Sequence, residues 1–191
     1  MKLNQINPFI RYAQELNTTQ YFNKCRCIDC RLFYVAEGQI QIEIQNRTYK
    51  ISRDSLFYCS SGNEYHITFE KNTSVYVVNF DLTNDRDDIA APLKPQERDG
   101  SEITVFRDEI DGESFLNTYT VQTDAYKYYL QIKEILKEFC EQKIYYKERS
   151  SAILKDVLIS LHRPTGSNNQ ILNDVINYIN KNYLTDTIPY Q

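Results

Sequence analysis

The stretch RLFYVAEGQIQIEIQNRTYKI (31–51) decides the fold class. Within it QIQIEIQ (39–45) alternates strictly, with Ile40, Ile42 and Ile44 on one face and Gln41, Glu43 and Gln45 on the other. A period of two marks a half-buried strand, because successive side chains point to opposite faces. RLFYVAEG (31–38) is apolar and aromatic and ends in a turn at Glu37-Gly38. NRT (46–48) is a second turn, and YKI (49–51) is the returning strand. The rhythm continues through SLFYC (55–59), closed by SSGNE (60–64), and YHITF (65–69), closed by EKNT (70–73). SVYVVNFDL (74–82) is the strongest strand in the chain. Short strands at even spacing with tight turns predict an antiparallel sandwich or barrel.

Beyond this core the pattern changes. TNDRDDIAAPLKPQERDGS (83–101) is charged, carries two prolines and reads as an excursion, followed by a short strand ITVF (103–106). From Asp124 the apolar residues Ala125, Tyr129, Ile132, Leu136 and Phe139 recur at spacings of three and four, an amphipathic helix with a narrow seam. A second helix spans about Tyr145 to His162. RPTGSNN (163–169) is a linker, and a third helix covers about Gln170–Tyr183 with Ile171, Leu172, Val175, Ile176 and Ile179 apolar. That last helix is expected to open a further domain; the alternative is that it folds back on the β core.

The chain has 191 residues, and 22 Lys+Arg against 26 Asp+Glu leave a formal net charge of −4. This is one full domain with a small addition, large enough to bury a core without disulfides or metals. Mild acidity gives no general attraction to nucleic acid or anionic membranes, so specific DNA binding by this chain alone is not expected. The N-terminal MKLNQINPFIRYAQE lacks an apolar signal segment, and a cytoplasmic protein is the expectation. The five cysteines, Cys25, Cys27, Cys30, Cys59 and Cys140, are odd in number and read as thiols. CRCIDC (25–30) has the look of a zinc cluster, with Cys59 or His66 as a fourth ligand. In an extended segment Cys30 would point away from Cys25 and Cys27, so buried unpaired thiols are the simpler reading. Only His66 and His162 are present, and no phosphate-cradling glycine motif or nucleophile elbow occurs. A metal centre built on two or three histidines is therefore not available, and neither a cofactor nor an enzyme activity is expected.

RLFYVAEG with its alternating strand, SRDSLFYCSSGNEYH (52–66), VYVVNFDL (75–82) and ILNDVINYINKNYLTDTI (171–188) come in an order that resembles the AraC/XylS-type transcription regulators. The first three resemble the family's N-terminal cupin-like effector domain. The last resembles the first helix of its helix-turn-helix domain, with Ile179 and Tyr183 at recurring positions. Arg53-Asp54-Ser55 stands where the family keeps Pro-Gly-Asp, and Cys59-Ser60-Ser61 where it keeps an apolar residue and two prolines.

The resemblance implies an α+β, mainly β chain: a cupin-like antiparallel barrel or double-stranded β-helix followed by helices. Its parts would be an N-terminal arm (1–20), a sensor barrel (21–123), dimerisation helices (124–163), a linker (164–169) and the start of a truncated DNA-binding domain (170–191). The implied function is effector sensing and dimerisation within a transcription regulator that binds DNA through its missing C-terminal domain. The alternatives are a metal-dependent cupin enzyme and a ligand-free interaction module. Along 31–37, alternation sets Arg31, Phe33, Val35 and Glu37 on one face and Leu32, Tyr34 and Ala36 on the other. The first set suits a polar small molecule stacked on Phe33; the alternative leaves Arg31 and Glu37 in water. The expected ligand-binding residues are Arg31, Phe33, Glu37, Tyr58, His66 and Tyr76, with Arg31, Glu37 and His66 facing the interior. The effector would be a small molecule, possible classes being a sugar or, through Arg31, a carboxylate or phosphate. Tyr129, Ile132, Leu136 and Phe139 are the expected homodimer seam.

Overall fold

Ten strands and two α-helices make up the described part of the computed structural model, which covers residues 1–17, 21–84, 96–97, 109–112 and 114–163, without the side chains of 21–25 and 96–97. The strands are β1 (Phe9–Leu16), β2 (Tyr21–Arg26), β3 (Cys30–Glu37), β4 (Gln39–Ile44), β5 (Arg47–Ser52), β6 (Ser55–Cys59), β7 (Glu64–Phe69), β8 (Ser74–Asp81), β9 (Gln96–Glu97) and β10 (Tyr119–Gln122). The helices are α1 (Tyr129–Glu141), preceded by a 3₁₀ turn at Ala125–Tyr128, and α2 (Tyr146–His162).

The strands form two five-stranded sheets, ordered β1-β8-β3-β6-β10 and β5-β4-β7-β2-β9. Every pairing is antiparallel. The chain places β1, β3, β6 and β8 in one sheet and β2, β4, β5 and β7 in the other. That order is a double-sheet jelly roll, the architecture that includes cupins. Two separate sheets stand where a closed barrel was one expectation.

The alternation read from the sequence fills the space between the sheets. Ile40, Ile42 and Ile44 of β4 meet Phe33 and Val35 of β3, Phe57 and Cys59 of β6, Tyr65, Ile67 and Phe69 of β7, and Val75 and Val77 of β8. Burying each large aliphatic side chain here stabilises by about 1.5–3 kcal/mol. The β4–β5 connection is a two-residue hairpin in which Gln45 and Asn46 both have positive φ (47° and 62°), the geometry that matches strand twist. The turn thus sits one residue earlier than NRT implied.

The outer face of the first sheet, with Leu32, Tyr34, Leu56, Tyr58, Tyr76, Val78 and Phe80, is also buried. The helices cover it: α1 lies against β1, β8 and β3. Ile132 and Ile135 of α1 are fully buried, as are Leu154, Val157 and Leu158 of α2. Arg149 on α2 ties the two helices together through Glu134 (2.9 Å) and Glu138 (2.8 Å). Ile132 therefore belongs to the protein's own core, and a dimer seam through it is corrected.

Phe9–Leu16, part of the expected arm, is instead a sheet strand in register with β8 from Phe9↔Asp81 to Leu16↔Val75. The chain divides into two compact units, 1–158 and 159–191, and of the second only residues 159–163 are described. The expected strand 103–106, the linker 164–169 and the helix at 170–191 lie outside the described residues. Among the described residues no helix is long and apolar enough to cross a membrane.

Candidate functional site

One end of the first sheet is shaped by a β-bulge. On β3 Val35 pairs with Val75 of β8, but Glu37 pairs with Ser74, so two steps on β3 match one on β8. A bulge of this kind turns the following side chain to the other face. Glu37 leaves the face of Phe33 and Val35 and joins the face of Tyr34 and Tyr76. Immediately after it the chain crosses to the second sheet at Gly38. Gly38 has φ +74°, and a Cβ there would stand 2.6 Å from Thr73 Oγ1 and 2.9 Å from the Asn72 carbonyl oxygen. Thr73 Oγ1 closes the corner, accepting from Gln39 N (3.2 Å) and donating to Gln39 O (3.0 Å).

Above this corner lies a cleft of about 560 Å³. The sheet side supplies Glu15, Glu37, Ser74 and Tyr76, the turns supply Arg53, Asp54, Asn72 and Thr73, and the approach to α1 supplies Tyr126 and Tyr129. The turn at Arg53–Asp54 fastens the helix start over the cleft, because the Ala125 amide donates to the Asp54 carbonyl at 2.6 Å. Tyr34, Tyr76 and Tyr129 form a triangle of rings with centroids 5.9–6.1 Å apart, and Tyr126 stacks on Tyr129 at 6.0 Å, inclined by 6°.

The polar groups differ in how far they are committed. Asp54 accepts from the Tyr34 hydroxyl (2.8 Å) and lies 3.4 Å from Arg53 Nε. Glu15 accepts from Ser74 Oγ at 2.7 Å. Glu37 is exposed and, among the described residues, its carboxylate has no hydrogen-bond or ion-pair partner. Burial, the Tyr129 hydrogen bond and the neighbouring Glu15 and Glu37 carboxylates push the Tyr76 hydroxyl upward. Tyr129 is pulled downward, first by the hydrogen bond from Lys133 (Nζ to Oη 3.2 Å).

No protein-family model matches the sequence, and no curated protein matches it. The chain is similar to solved structures. ToxT from Vibrio cholerae with an unsaturated fatty acid bound aligns at TM-score 0.43 and 12% identity over 96% of this chain and 58% of that one. An apo ToxT variant from the same organism aligns at TM-score 0.45 and 13% identity over 96% and 59%. A cupin-2 domain protein from Shewanella frigidimarina aligns at TM-score 0.32 and 13% identity over 35% and 66%. The chain thus spans less than two thirds of the ToxT chains it matches.

The residues expected to share one pocket are divided among four places. Arg31 and Phe33 face the space between the sheets. Arg31 Nε lies 3.0 Å from Asp29 Oδ1, and its Nη1 donates to Tyr65 Oη at 3.2 Å. Phe33 packs on Phe57 and Tyr65, with centroids 5.9 and 6.0 Å away. Glu37 and Tyr76 line the cleft. Tyr58 lies fully buried under the 3₁₀ turn Phe115–Asn117, donating to the Leu116 carbonyl at 2.8 Å. His66 is on the outer face of the second sheet, 3.5 Å from Glu43. An interior position is therefore corrected for Glu37, by the bulge, and for His66, because its neighbours Tyr65 and Ile67 take the inner face.

Among the expected seam residues, Tyr129 belongs to the ring cluster, while Leu136 and Phe139 border a neighbouring groove along β1 with Lys133 and Lys137. Cys27 and Cys59 face each other in the core with Sγ atoms 4.0 Å apart, and burial pushes the Cys30 thiol up to about 12. The Cys25 side chain lies outside the described residues. Among those described, no three His, Cys, Asp or Glu side chains group as a metal site would require. Sequence reasoning missed Glu15, Asp54, Ser74 and Tyr126. One signal was available: Tyr126 and Tyr129 are three residues apart, the spacing that sets two rings on one helical face.

Proposed function

We propose that this chain is the effector-sensing part of an AraC-type transcriptional regulator and that a small molecule seated in the cleft is the effector. The observation that carries this reading is that the cleft is walled on one side by sheet corners and on the other by Tyr126 and Tyr129 at the start of α1. A ligand there touches a rigid sheet and a helix at once, so its affinity can differ between two settings of that helix. Differential affinity is what lets a ligand shift such an equilibrium. In this reading DNA contact belongs to a separate domain, the setting is cytoplasmic, and any self-association uses surfaces other than Ile132.

Hydrogen–deuterium exchange of the chain with fractionated small-molecule extracts tests it. An active fraction is expected to slow exchange at residues 72–76 and at 125–130 together. Protection confined to the inter-sheet core around Phe33, or chemical turnover of the bound molecule, would overturn it.

A further inference from the structure

We infer that the cleft selects a small organic cation: a primary or quaternary ammonium on a compact body. This rests on the reading of the cleft as the effector site and narrows it to a ligand class.

Charge balance is the first ground. Among the described residues the cleft walls hold three carboxylates, Glu15, Glu37 and Asp54, against one guanidinium, Arg53, with the Lys133 ammonium beside them on the Tyr129 hydroxyl. Arg53 is engaged with Asp54. That leaves Glu15 and Glu37, which register sets on the strands either side of Tyr76: Glu15 opposite Tyr76 itself, and Glu37 opposite the adjoining Ser74. Among the described residues Glu15 has a hydroxyl for a partner and no ion pair. An anion entering here would meet the Glu37 carboxylate, unpartnered among the described residues.

The aromatic wall is the second ground. Ring faces attract cations within about 6 Å of the centroid, and more strongly where water is displaced. Tyr129 already holds one ammonium of the chain's own: Lys133 Nζ donates to its hydroxyl at 3.2 Å and lies 5.4 Å from its ring centroid. The Tyr76, Tyr126 and Tyr129 rings beside the Glu37 carboxylate supply both attractions that an alkylammonium uses. A neutral polyol could use the hydrogen-bonding groups but would gain nothing from the surplus charge. The cavity, about 560 Å³, lies within the range of small-molecule sites and suits a compact body.

Calorimetric titration of the chain with choline and with putrescine tests the inference. The controls are the uncharged isostere of choline, in which tert-butyl replaces trimethylammonium, and the polyol myo-inositol. At least one ammonium is expected to bind, with affinity falling as salt is added, and the isostere is expected not to. Glu37→Gln should weaken ammonium binding by about tenfold, the scale of one close charge–charge attraction near a protein surface. Tyr129→Leu should weaken it as well, with circular dichroism confirming that each variant is folded. Binding that Glu37→Gln leaves unchanged would overturn the inference. Binding of myo-inositol alone, lost in Tyr129→Leu, would overturn the cation class while sparing the effector site. If no probe of either charge type binds and the extract experiment is also silent at 72–76 and 125–130, both readings fall.

Discussion

The two ends of β3 carry opposite charges with opposite fates. At its start Arg31 is buried, with Asp29 and the Tyr65 hydroxyl around it. At its end Glu37 stands exposed at the mouth of a cleft, with no partner for its carboxylate among the described residues. In the sequence the two look alike, a charge at either end of one apolar strand. The difference lies in what each meets. The Arg31 end is closed by the chain's own carboxylate, so its charge is consumed by the fold. The Glu37 end is turned outward by a bulge, so its charge is left for something else. A charged residue at a strand end becomes informative about function only once its internal partners are known.

The sharpest way to break this contrast is to unpair the buried end. Arg31→Met leaves the Asp29 carboxyl buried alone and is expected to cost about 3–5 kcal/mol at neutral pH. Burial already raises Asp29, and Arg31 pulls it part of the way back. Without Arg31 the rise is larger. A raised carboxyl contributes stability that is complete below its unfolded-state value and lost as pH climbs through the folded-state value. The deficit of Arg31→Met is therefore expected to shrink toward about pH 4, near the unperturbed carboxylate value. Urea denaturation at acidic and neutral pH measures it, and an equal deficit at both would show that Asp29 is not the group left stranded.

The same contrast recurs on α1, where Ile132 is 0% exposed and Leu130 is 74% exposed. Ile132→Ala is expected to cost about 2–5 kcal/mol through loss of buried contacts and the cavity left behind. Leu130→Ala should stay within about 0.5 kcal/mol. Thermal denaturation of the two variants gives the ranking. A folded, soluble Ile132→Asp protein that had merely dissociated would return this helix face to an interface. The smallest expected effect is at the open end of β3. Glu37→Gln should change stability by no more than about 0.5 kcal/mol. A larger loss in the same melts would mean that the fold, too, depends on this carboxylate.

β4 and β7 were legible because their burial follows a period of two, whereas β3, β6 and β8 are buried on both faces and were legible as short apolar runs bounded by turns. β1 was not, because its register shifts between Ile10 and Tyr12, and Arg11 there is buried against Asp81 instead of exposed as a charge in a strand would suggest. β10 has four half-buried residues, too few and too mixed to show a period. His66 is instructive in another way. Strict alternation in YHITF sends Tyr65, Ile67 and Phe69 inward and His66 out, and the family resemblance drew it inward against its own pattern. The cleft was least legible. It is assembled from residues near positions 15, 37, 54, 74 and 126, joined by a bulge and a corner that leave no periodic trace.

Tyr129 is both a member of the ring cluster and the first residue of α1. The helix below it has 13 residues and so extends about 20 Å, nearly four turns. Its rotational phase is thus pinned at one end by a ring that lies against Tyr76 and reaches into the cleft. Among the described residues that ring is the one point at which the cleft touches the helix that carries Leu136, Phe139 and Cys140 along the groove beside β1, while Ile132 and Ile135 hold the same helix to the core.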